Sequence, residues 1–250
     1  MNASPPPLAM IVLAAGKGTR MHSSLAKVLH PLAGRALLTH VLDVATSLAP
    51  QHLIVVVGHQ AEQVRQVCEP YDVTCVLQEP QLGTGHAVAQ AEPILTDFQG
   101  DVLVLYGDVP LLQAITLRTL WDVHQRQQAT VTAVTACLDN PTGYGRILRD
   151  AAGRITRIVE ERDATEAEKA VHEINSGVYC LQAAFLFPAL RRIGRQNAQG
   201  EQYLTDVVAL AVAEQRRVAH VTVADAREIL GVNTHAELAY LETLLQQRTL

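Results

Sequence analysis

Two glycines and two cations lie close together near the start of this 250-residue chain. Gly16 and Gly18 let a ligand approach the backbone closely, and Lys17 and Arg20 supply positive charge beside them. The apolar run at residues 8–15 comes directly before them and is typical of a strand buried on both faces. Open α/β sheets hold phosphate groups with a strand, a glycine turn and cations in this order. The stretch predicts a nucleotide phosphate loop, although a simple glycine turn with solvated cations fits the same residues.

The order of residues in this loop excludes two familiar phosphate-binding motifs. A P-loop has Ser or Thr directly after its Gly-Lys pair, whereas Gly18 follows Lys17 here. A dinucleotide-binding fingerprint has a third glycine where this chain has Met21. The loop is therefore of a different type from both.

Asp108 is the next candidate for chemistry, because it closes an apolar run that begins at Val102. A carboxylate at the end of a central strand lies where α/β sheets bind their ligands. One carboxylate combined with phosphate oxygens is also the usual way in which proteins hold Mg²⁺. We predict that Asp108 takes part in such a site, with a helix N-cap for the segment after Pro110 as the alternative.

Two further stretches combine glycines or acidic residues with a predicted strand end. Residues 78–88 form a second glycine loop in which Gln78 offers a donor and an acceptor to a pyrimidine edge. The alternative is a plain connection from a strand to a helix.

Glu160 follows another predicted strand and opens the charged run at residues 160–169. A charged run is typical of a solvated helix or loop, and the sequence leaves open whether Glu160 points inward.

Composition restricts the class of protein. Hydrophobic residues make up 48% of the chain and charged residues 18%, as in a compact folded domain. The net charge of −5 argues against a nucleic-acid partner. No apolar stretch is long enough to cross a membrane, and the N-terminus lacks the charged segment of a signal peptide. The four cysteines and ten histidines show no metal-binding spacing. We predict a cytoplasmic protein without membrane or zinc sites.

The alternation of predicted strands and helices indicates an α/β fold with a doubly wound, mostly parallel, Rossmann-like sheet. From Asp139 the sequence changes to a glycine-rich turn and a hairpin, which predicts a small β-rich lobe. We predict one domain over residues 1–250, with a nucleotide-binding half at 1–138, the small lobe at 139–200, and a return to the main sheet and a C-terminal helix at 201–250.

The last part of the chain carries three local predictions. Thr205 is placed to cap a helix over residues 207–213, and residues 227–230 are predicted to form a short strand. Thr234 and Glu237 have the spacing of a capping box at the start of the last helix. Asn233 comes just before that cap, where asparagine is usually a turn residue.

Read together, these stretches resemble the bacterial N-acetylglucosamine-1-phosphate uridylyltransferases, within the wider superfamily of sugar-1-phosphate nucleotidylyltransferases. The resemblance extends from Met10 to about Leu245. It is carried by several short motifs in the same order along the chain, at residues 13–21, 27–30, 81–87, 106–110, 141–147, 173–175, 197–201 and 231–233.

The resemblance implies a reaction and a set of site residues. The expected reaction transfers the uridylyl group of UTP to N-acetylglucosamine 1-phosphate and releases pyrophosphate, with Mg²⁺ as cofactor. The implied catalytic residues are Arg20, Lys27 and Asp108, and the implied metal ligands are Asp108 and Asn233. The implied nucleotide-binding residues are Leu13, Ala14, Ala15, Gly16, Gln78, Gly83, Thr84, Tyr106 and Gly107. The implied sugar-binding residues, which make the small lobe the expected sugar-binding lobe, are Gly145, Glu160, Asn175, Tyr203 and Thr205.

The chain departs from the family pattern in three respects. Ala26 replaces the proline that usually precedes the lysine, and Ser176 stands where threonine is common. Family members usually continue into hexapeptide repeats that carry an acetyltransferase activity, and this sequence does not contain them. We therefore expect a monomer or weak oligomer rather than a trimer. Two alternatives to the expected enzyme remain: a catalytically silent nucleotide-sugar-binding regulatory protein, and a nucleotidylyltransferase for another sugar 1-phosphate.

Overall fold

The computed structural model describes residues 6–248, and eleven strands and eight α-helices form within them. The three prolines at residues 5–7 predict a short extended lead-in over residues 1–7, and most of that segment lies outside the described residues. The strands are β1 Leu8–Ala14, β2 Pro31–Leu32, β3 Arg35–Ala36, β4 His52–Val57, β5 Thr74–Leu77, β6 Asp101–Tyr106, β7 Val131–Cys137, β8 Arg146–Arg149, β9 Ile155–Val159, β10 Glu173–Gln182 and β11 Val218–Thr222. The helices are α1 Leu37–Thr46, α2 Ala61–Cys68, α3 Thr84–Ala89, α4 Ala114–Arg126, α5 Glu166–Lys169, α6 Ala183–Leu190, α7 Asp206–Ala213 and α8 His235–Arg248.

The main sheet has the strand order β11-β7-β10-β6-β1-β4-β5. Neighbouring strands run parallel except at β10, which is antiparallel to both β6 and β7. The predicted α/β class with a mostly parallel sheet is therefore confirmed. The antiparallel strand has a consequence for the site, because it brings the start of β10 to the edge where β6 ends.

Strand β1 shows why the sheet carries helices on both faces. Its seven residues are all buried, as a strand covered on two sides requires. Ile11 and Leu13 pack into one hydrophobic cluster with residues of α3, α6 and α7. Met10 and Val12 face the opposite way and pack with residues of α1, α2 and α4. Because successive side chains point to opposite faces, this single strand belongs to both cores.

The parallel strands β5, β4, β1 and β6 place their carboxyl ends along one edge of the sheet. The first glycine loop follows β1, Gln78 follows β5, and Asp108 lies two residues beyond β6. Ligands of open α/β sheets bind outside this edge. The fold therefore gathers the candidate residues from distant parts of the chain.

The hairpin formed by β8 and β9 pairs with the main sheet through β10. It delivers Glu160 directly after β9, next to the same edge. Residues 139–200 also contain β10 and α6, which belong to the main sheet and its core. The division into a nucleotide-binding half and a smaller lobe stays a prediction.

Two local expectations were wrong. Residues 227–230 were expected to form a strand, but Ala226–Ile229 is a 3₁₀ helix whose first turn is capped by the Asp225 carboxylate. Thr205 precedes α7 but makes no side-chain cap, because its hydroxyl donates to Glu160 instead. The capping box of Thr234 and Glu237 is confirmed. Among the described helices, none combines the length and apolar character that a membrane span needs.

Candidate active site

A cavity of about 850 Å³ opens at the carboxyl edge of the sheet. Both glycine loops contribute to its walls, and Lys27 and Asp108 line it where β6 ends. Gly107 is the one nucleotide-binding candidate that does not line it, because its amide donates to Leu13 and its α-carbon faces Leu38 and Val28. The predicted nucleotide-binding residues that line the cavity are Leu13, Ala14, Ala15, Gly16, Gln78, Gly83, Thr84 and Tyr106.

Two glycines in these loops cannot be replaced without moving the backbone. Gly18 has φ +62°, and a Cβ there would lie 2.6 Å from Cβ of Lys27. Gly83 has φ +107°, and a Cβ there would lie 2.5 Å from the carbonyl oxygen of Gln202. Real side chains do not approach so closely, and left-handed backbone disfavours residues other than glycine. Gly18 therefore lets the first loop pack directly on the segment that carries Lys27.

Lys27 is the centre of a polar cluster at the mouth of the cavity. Its ammonium forms an ion pair with the Asp108 carboxylate and donates a hydrogen bond of 3.1 Å to Oδ1 of Asn233. Arg20 donates a second hydrogen bond of 2.8 Å to the same Asn233 oxygen. Asp108 is 7% exposed and does not cap a helix, since the next helix starts at Ala114. The N-cap alternative for Asp108 is therefore wrong.

The two predicted metal ligands converge on one cation. Asp108 and Asn233 lie far apart in sequence, yet both contact the Lys27 ammonium. One carboxylate and one neutral amide oxygen are ligands that Mg²⁺ accepts when phosphate oxygens supply the rest of its coordination. The donor set therefore fits a nucleotide-bound Mg²⁺, and Lys27 holds the two ligands in place in this structure.

Gln78 is buried beside the second glycine loop, with 4% of its surface exposed. Its amide nitrogen donates to the Gly83 carbonyl at 2.9 Å and lies 3.1 Å from Nδ1 of His86. Burial lowers the pKa of His86, so the neutral ring can accept this hydrogen bond. The amide nitrogen of Gln78 is therefore turned toward these two partners inside the protein. Its oxygen is the atom left to face a ligand.

The predicted sugar-binding residues lie around a second cavity of about 340 Å³. Glu160, Tyr203 and Thr205 line it, and the Thr205 hydroxyl donates to Glu160 at 3.1 Å. Gly145 and Asn175 do not line it but lie beside it. The backbone amide of Asn175 donates to the Gly145 carbonyl at 2.9 Å. A Cβ on Gly145 would lie 3.5 Å from Oε2 of Glu160. The structure thus brings all five residues together.

Burial shifts the pKa of two ionisable groups in this region. The pKa of Glu160 is raised above its ordinary value chiefly by burial, with the Thr205 hydrogen bond acting in the opposite direction. Burial also raises the pKa of Tyr106, and the neighbouring Glu160 and Asp108 charges add to that effect. Tyr106 lines the first cavity. Its hydroxyl stays protonated at neutral pH.

Several residues that hold the site together were not predicted. Gln81 donates to the Ala15 carbonyl at 2.5 Å, and Asp163 accepts a hydrogen bond of 2.8 Å from the Ala198 amide. Gln60 contacts the backbone just before Lys27. Their partners lie far away in sequence, so no local pattern signals them. Gln81 alone stood inside a stretch that carried the family resemblance.

One group of three potential metal ligands lies elsewhere. Within residues 6–248, Asp101, His124 and Cys180 come close together in the core. Asp101 begins β6, so the group lies at the opposite end of that strand from Asp108. The Asp101 carboxylate already accepts hydrogen bonds from Trp121 and Gln125. Burial raises the pKa of the Cys180 thiol well above its usual range, which disfavours the thiolate that a metal requires.

A cavity at the carboxyl edge of a mostly parallel sheet, lined by glycine loops and cations, is typical of nucleotide-binding α/β proteins. Residues 10–174 match the family described as the MobA-like NTP transferase domain. Because this match covers more than half of the chain, the chain belongs to that family.

Comparison with individual proteins is more specific. The chain is 50% identical over 242 residues to the bifunctional protein GlmU of Pelobacter propionicus, covering 96% of this chain and 53% of that protein. It is 46% identical over 242 residues to the bifunctional protein GlmU of Desulfotalea psychrophila, covering 97% of this chain and 71% of that protein. The predicted resemblance to this group is therefore confirmed. The chain spans about half the length of several of these relatives, for example 52% of the Heliobacterium modesticaldum protein.

Solved structures support the fold. A UDP-glucose pyrophosphorylase complexed with UDP-glucose superposes with a TM-score of 0.77 at 15% identity, covering 97% of this chain and 99% of that chain. A nucleotidyl transferase from Methanothermobacter thermautotroptrophicus gives a TM-score of 0.66 at 19% identity, with the same coverage of both chains. At these identities the likeness concerns the fold alone.

Proposed function

We propose that the chain transfers the uridylyl group of UTP to N-acetylglucosamine 1-phosphate, giving UDP-N-acetylglucosamine and pyrophosphate. The observation that carries this proposal is the cluster of Lys27, Asp108, Asn233 and Arg20 at the mouth of the nucleotide cavity. It provides two cations for phosphate oxygens and two oxygen ligands for a metal ion. The relationship to bifunctional GlmU proteins supports the same activity.

The environment of Gln78 favours uracil. Its amide nitrogen is occupied by Gly83 and His86, so its oxygen is the group that can meet a base. Uracil carries a hydrogen on N3 and can donate to this oxygen, whereas N3 of cytosine is an acceptor and would face it without a hydrogen bond. A site strongly rejects a ligand whose binding would leave a buried polar group of the protein unpaired. We therefore assign Gln78 to recognition of the base.

The second cavity is the proposed site for the sugar 1-phosphate, which accepts the uridylyl group. Glu160 offers a carboxylate and Asn175 a side-chain amide for the hydroxyl and acetamido groups of the sugar, and Gly145 lies next to Glu160, where a Cβ would come within 3.5 Å of Oε2. Tyr203 and Thr205 complete its wall and are 6% and 5% exposed. Enclosed polar groups of this kind suit a sugar, which presents many hydrogen-bonding groups of its own. We assign these five residues to the N-acetylglucosamine moiety.

The reaction needs no general base. The phosphate of the sugar 1-phosphate already carries an anionic oxygen, which attacks the α-phosphorus of UTP in line and expels pyrophosphate. Lys27 lies beside Asp108 and is placed to neutralise charge at the reacting phosphate, and Arg20 is placed for the outer phosphates. Asp108 and Asn233 would hold Mg²⁺, which when bound neutralises phosphate charge and orients the leaving group. Catalysis thus depends on positioning and charge neutralisation.

Two forms of labelled UTP test the proposal directly. Label in the α-phosphate is expected in the nucleotide sugar, and label in the γ-phosphate is expected in pyrophosphate. Transfer of the γ-label to the sugar would contradict in-line attack at the α-phosphorus. Tight UTP binding without any transfer would instead identify the chain as a silent nucleotide-sugar-binding protein.

A further inference from the structure

Gln60 has an unfavourable backbone conformation next to the catalytic cluster. It precedes α2 with φ +52°, in the left-handed region that residues other than glycine rarely adopt. Glycine would occupy this position without steric strain. Such strain persists where the side chain or the surrounding structure compensates for it, and it is found frequently at functional sites. The side chain of Gln60 is therefore the feature to explain.

That side chain makes two hydrogen bonds to the backbone of one short segment. Its oxygen accepts from the Ala26 amide at 2.6 Å, and its nitrogen donates to the Ser24 carbonyl at 2.8 Å. The donor and the acceptor are both used, which fixes the segment on both sides. Gln60 is itself held near the first glycine loop, because the amide of its neighbour His59 donates to the Ala15 carbonyl at 3.2 Å.

The clamped segment ends directly before Lys27. Ala26 is the cap of the 3₁₀ turn Lys27–Leu29, so its position determines where that turn begins. Gly18 also packs against Lys27. We propose that Gln60 is a positioning residue, which fixes the backbone of residues 24–26 and thereby aims the Lys27 ammonium at Asp108 and the substrate phosphate.

Residue 26 has a backbone conformation that proline could also adopt. Ala26 has φ −58°, within the range that a proline ring imposes. A proline there would restrict the segment without any partner, but it would lack the N–H that Gln60 binds. This chain has alanine at that position. Gln60 thus supplies by hydrogen bonding the restriction that a proline ring would supply covalently.

The inference rests on the proposed function for its kinetic test, in which Gln60→Gly and Ala26→Pro are combined in a double-mutant cycle. Gln60→Gly removes both hydrogen bonds and relieves the left-handed strain. We expect kcat for pyrophosphate release to fall roughly tenfold, with little change in KM for either substrate or in thermal midpoint. In the Ala26→Pro background the same substitution should change kcat by less than about twofold. Gln63→Ala, at an exposed position of α2, is the matched control and should leave kcat unchanged.

Hydrogen exchange gives a second readout that does not need activity. The amides of residues 26–30 should exchange faster in Gln60→Gly than in the parent. Ala26→Pro combined with Gln60→Gly should restore slow exchange at residues 27–30, since a proline at position 26 has no amide hydrogen of its own. An equal loss of kcat in both backgrounds, no loss in either, or unchanged exchange at residues 26–30 would overturn the inference. A parent chain without turnover would refute the proposed function, while the exchange experiment would still decide the role of Gln60.

Discussion

The Lys27 ammonium donates a 3.1 Å hydrogen bond to Oδ1 of Asn233, which lies 206 residues further along the chain. The same ammonium pairs with Asp108 at the end of β6. One lysine therefore joins the first glycine loop, the central strand and the segment before α8. The two oxygen ligands proposed for Mg²⁺ both contact this lysine. We therefore expect the binding of phosphates by Lys27 to be coupled to the binding of metal by Asp108 and Asn233.

This coupling predicts the behaviour of Lys27→Met. Without the ammonium, the Asp108 carboxylate loses its paired charge and becomes a better ligand for a free cation. We expect this variant to bind Mg²⁺ or Mn²⁺ more tightly than the parent in the absence of nucleotide, while its turnover is lost. Calorimetric titration of the metal measures the change. Lys17→Met is the control for removal of a positive charge from the same loop, and an equal gain in affinity there would contradict the specific role of Lys27.

The two proposed metal ligands should not be equivalent. Asp108→Asn removes the one anionic ligand in the proposed set, so most of kcat should be lost, by a factor on the order of 100 or more. Asn233→Ala removes a neutral ligand and should be milder, with partial recovery at higher Mg²⁺. Steady-state rates across a Mg²⁺ series, after removal of metal with EDTA, make the comparison. Equal losses in the two variants, neither responding to Mg²⁺, would remove these side chains from metal binding.

The sequence predicted most of what lies within one element or one loop. The buried strand before Gly16, the position of Asp108 and the capping box at Thr234 depend on local spacing, and the structure has each of them. The clamp formed by Gln60 could not be predicted in this way, because Ser24 and Ala26 lie more than thirty residues away from it. The prediction for Thr205 failed for a related reason. Its local position suits a helix cap, but its hydroxyl donates to Glu160, which is distant in sequence.

The variant Arg20→Lys separates the effect of the guanidinium's shape from the effect of its charge on binding of the outer phosphates of UTP. A guanidinium presents a planar fork that matches phosphate oxygens, whereas lysine offers a single point charge. Arg20→Lys keeps the charge but loses the fork and the present geometry toward Asn233. We expect kcat/KM for UTP to fall roughly tenfold. Turnover equal to that of the parent would identify Arg20 as a solvated cation without a role in phosphate binding.

Glu160 should make the stability of the protein depend on pH. Burial raises its pKa in the folded state above the ordinary value of 4.5, so the folded protein keeps a proton that the unfolded chain loses. The contribution of Glu160 to the free energy of unfolding is therefore greatest below pH 4.5 and decreases as pH rises through the raised pKa. Glu160→Gln cannot titrate and should remove this decrease. Urea unfolding of both proteins across pH 4–8 measures the difference, with Glu62→Gln at an exposed position as the control. Parallel pH profiles for the parent and Glu160→Gln would contradict the assignment.

Release of pyrophosphate, measured across a matrix of nucleoside triphosphates and sugar 1-phosphates, tests the proposed reaction most directly. UTP, CTP, ATP and GTP would each be combined with the 1-phosphates of N-acetylglucosamine, glucose and N-acetylgalactosamine, with Mg²⁺ present. The geometry of Gln78 and of the Glu160 pocket predicts the highest kcat/KM for UTP with N-acetylglucosamine 1-phosphate. A clear preference for a different base or a different sugar, or no release with any pair, would contradict the account.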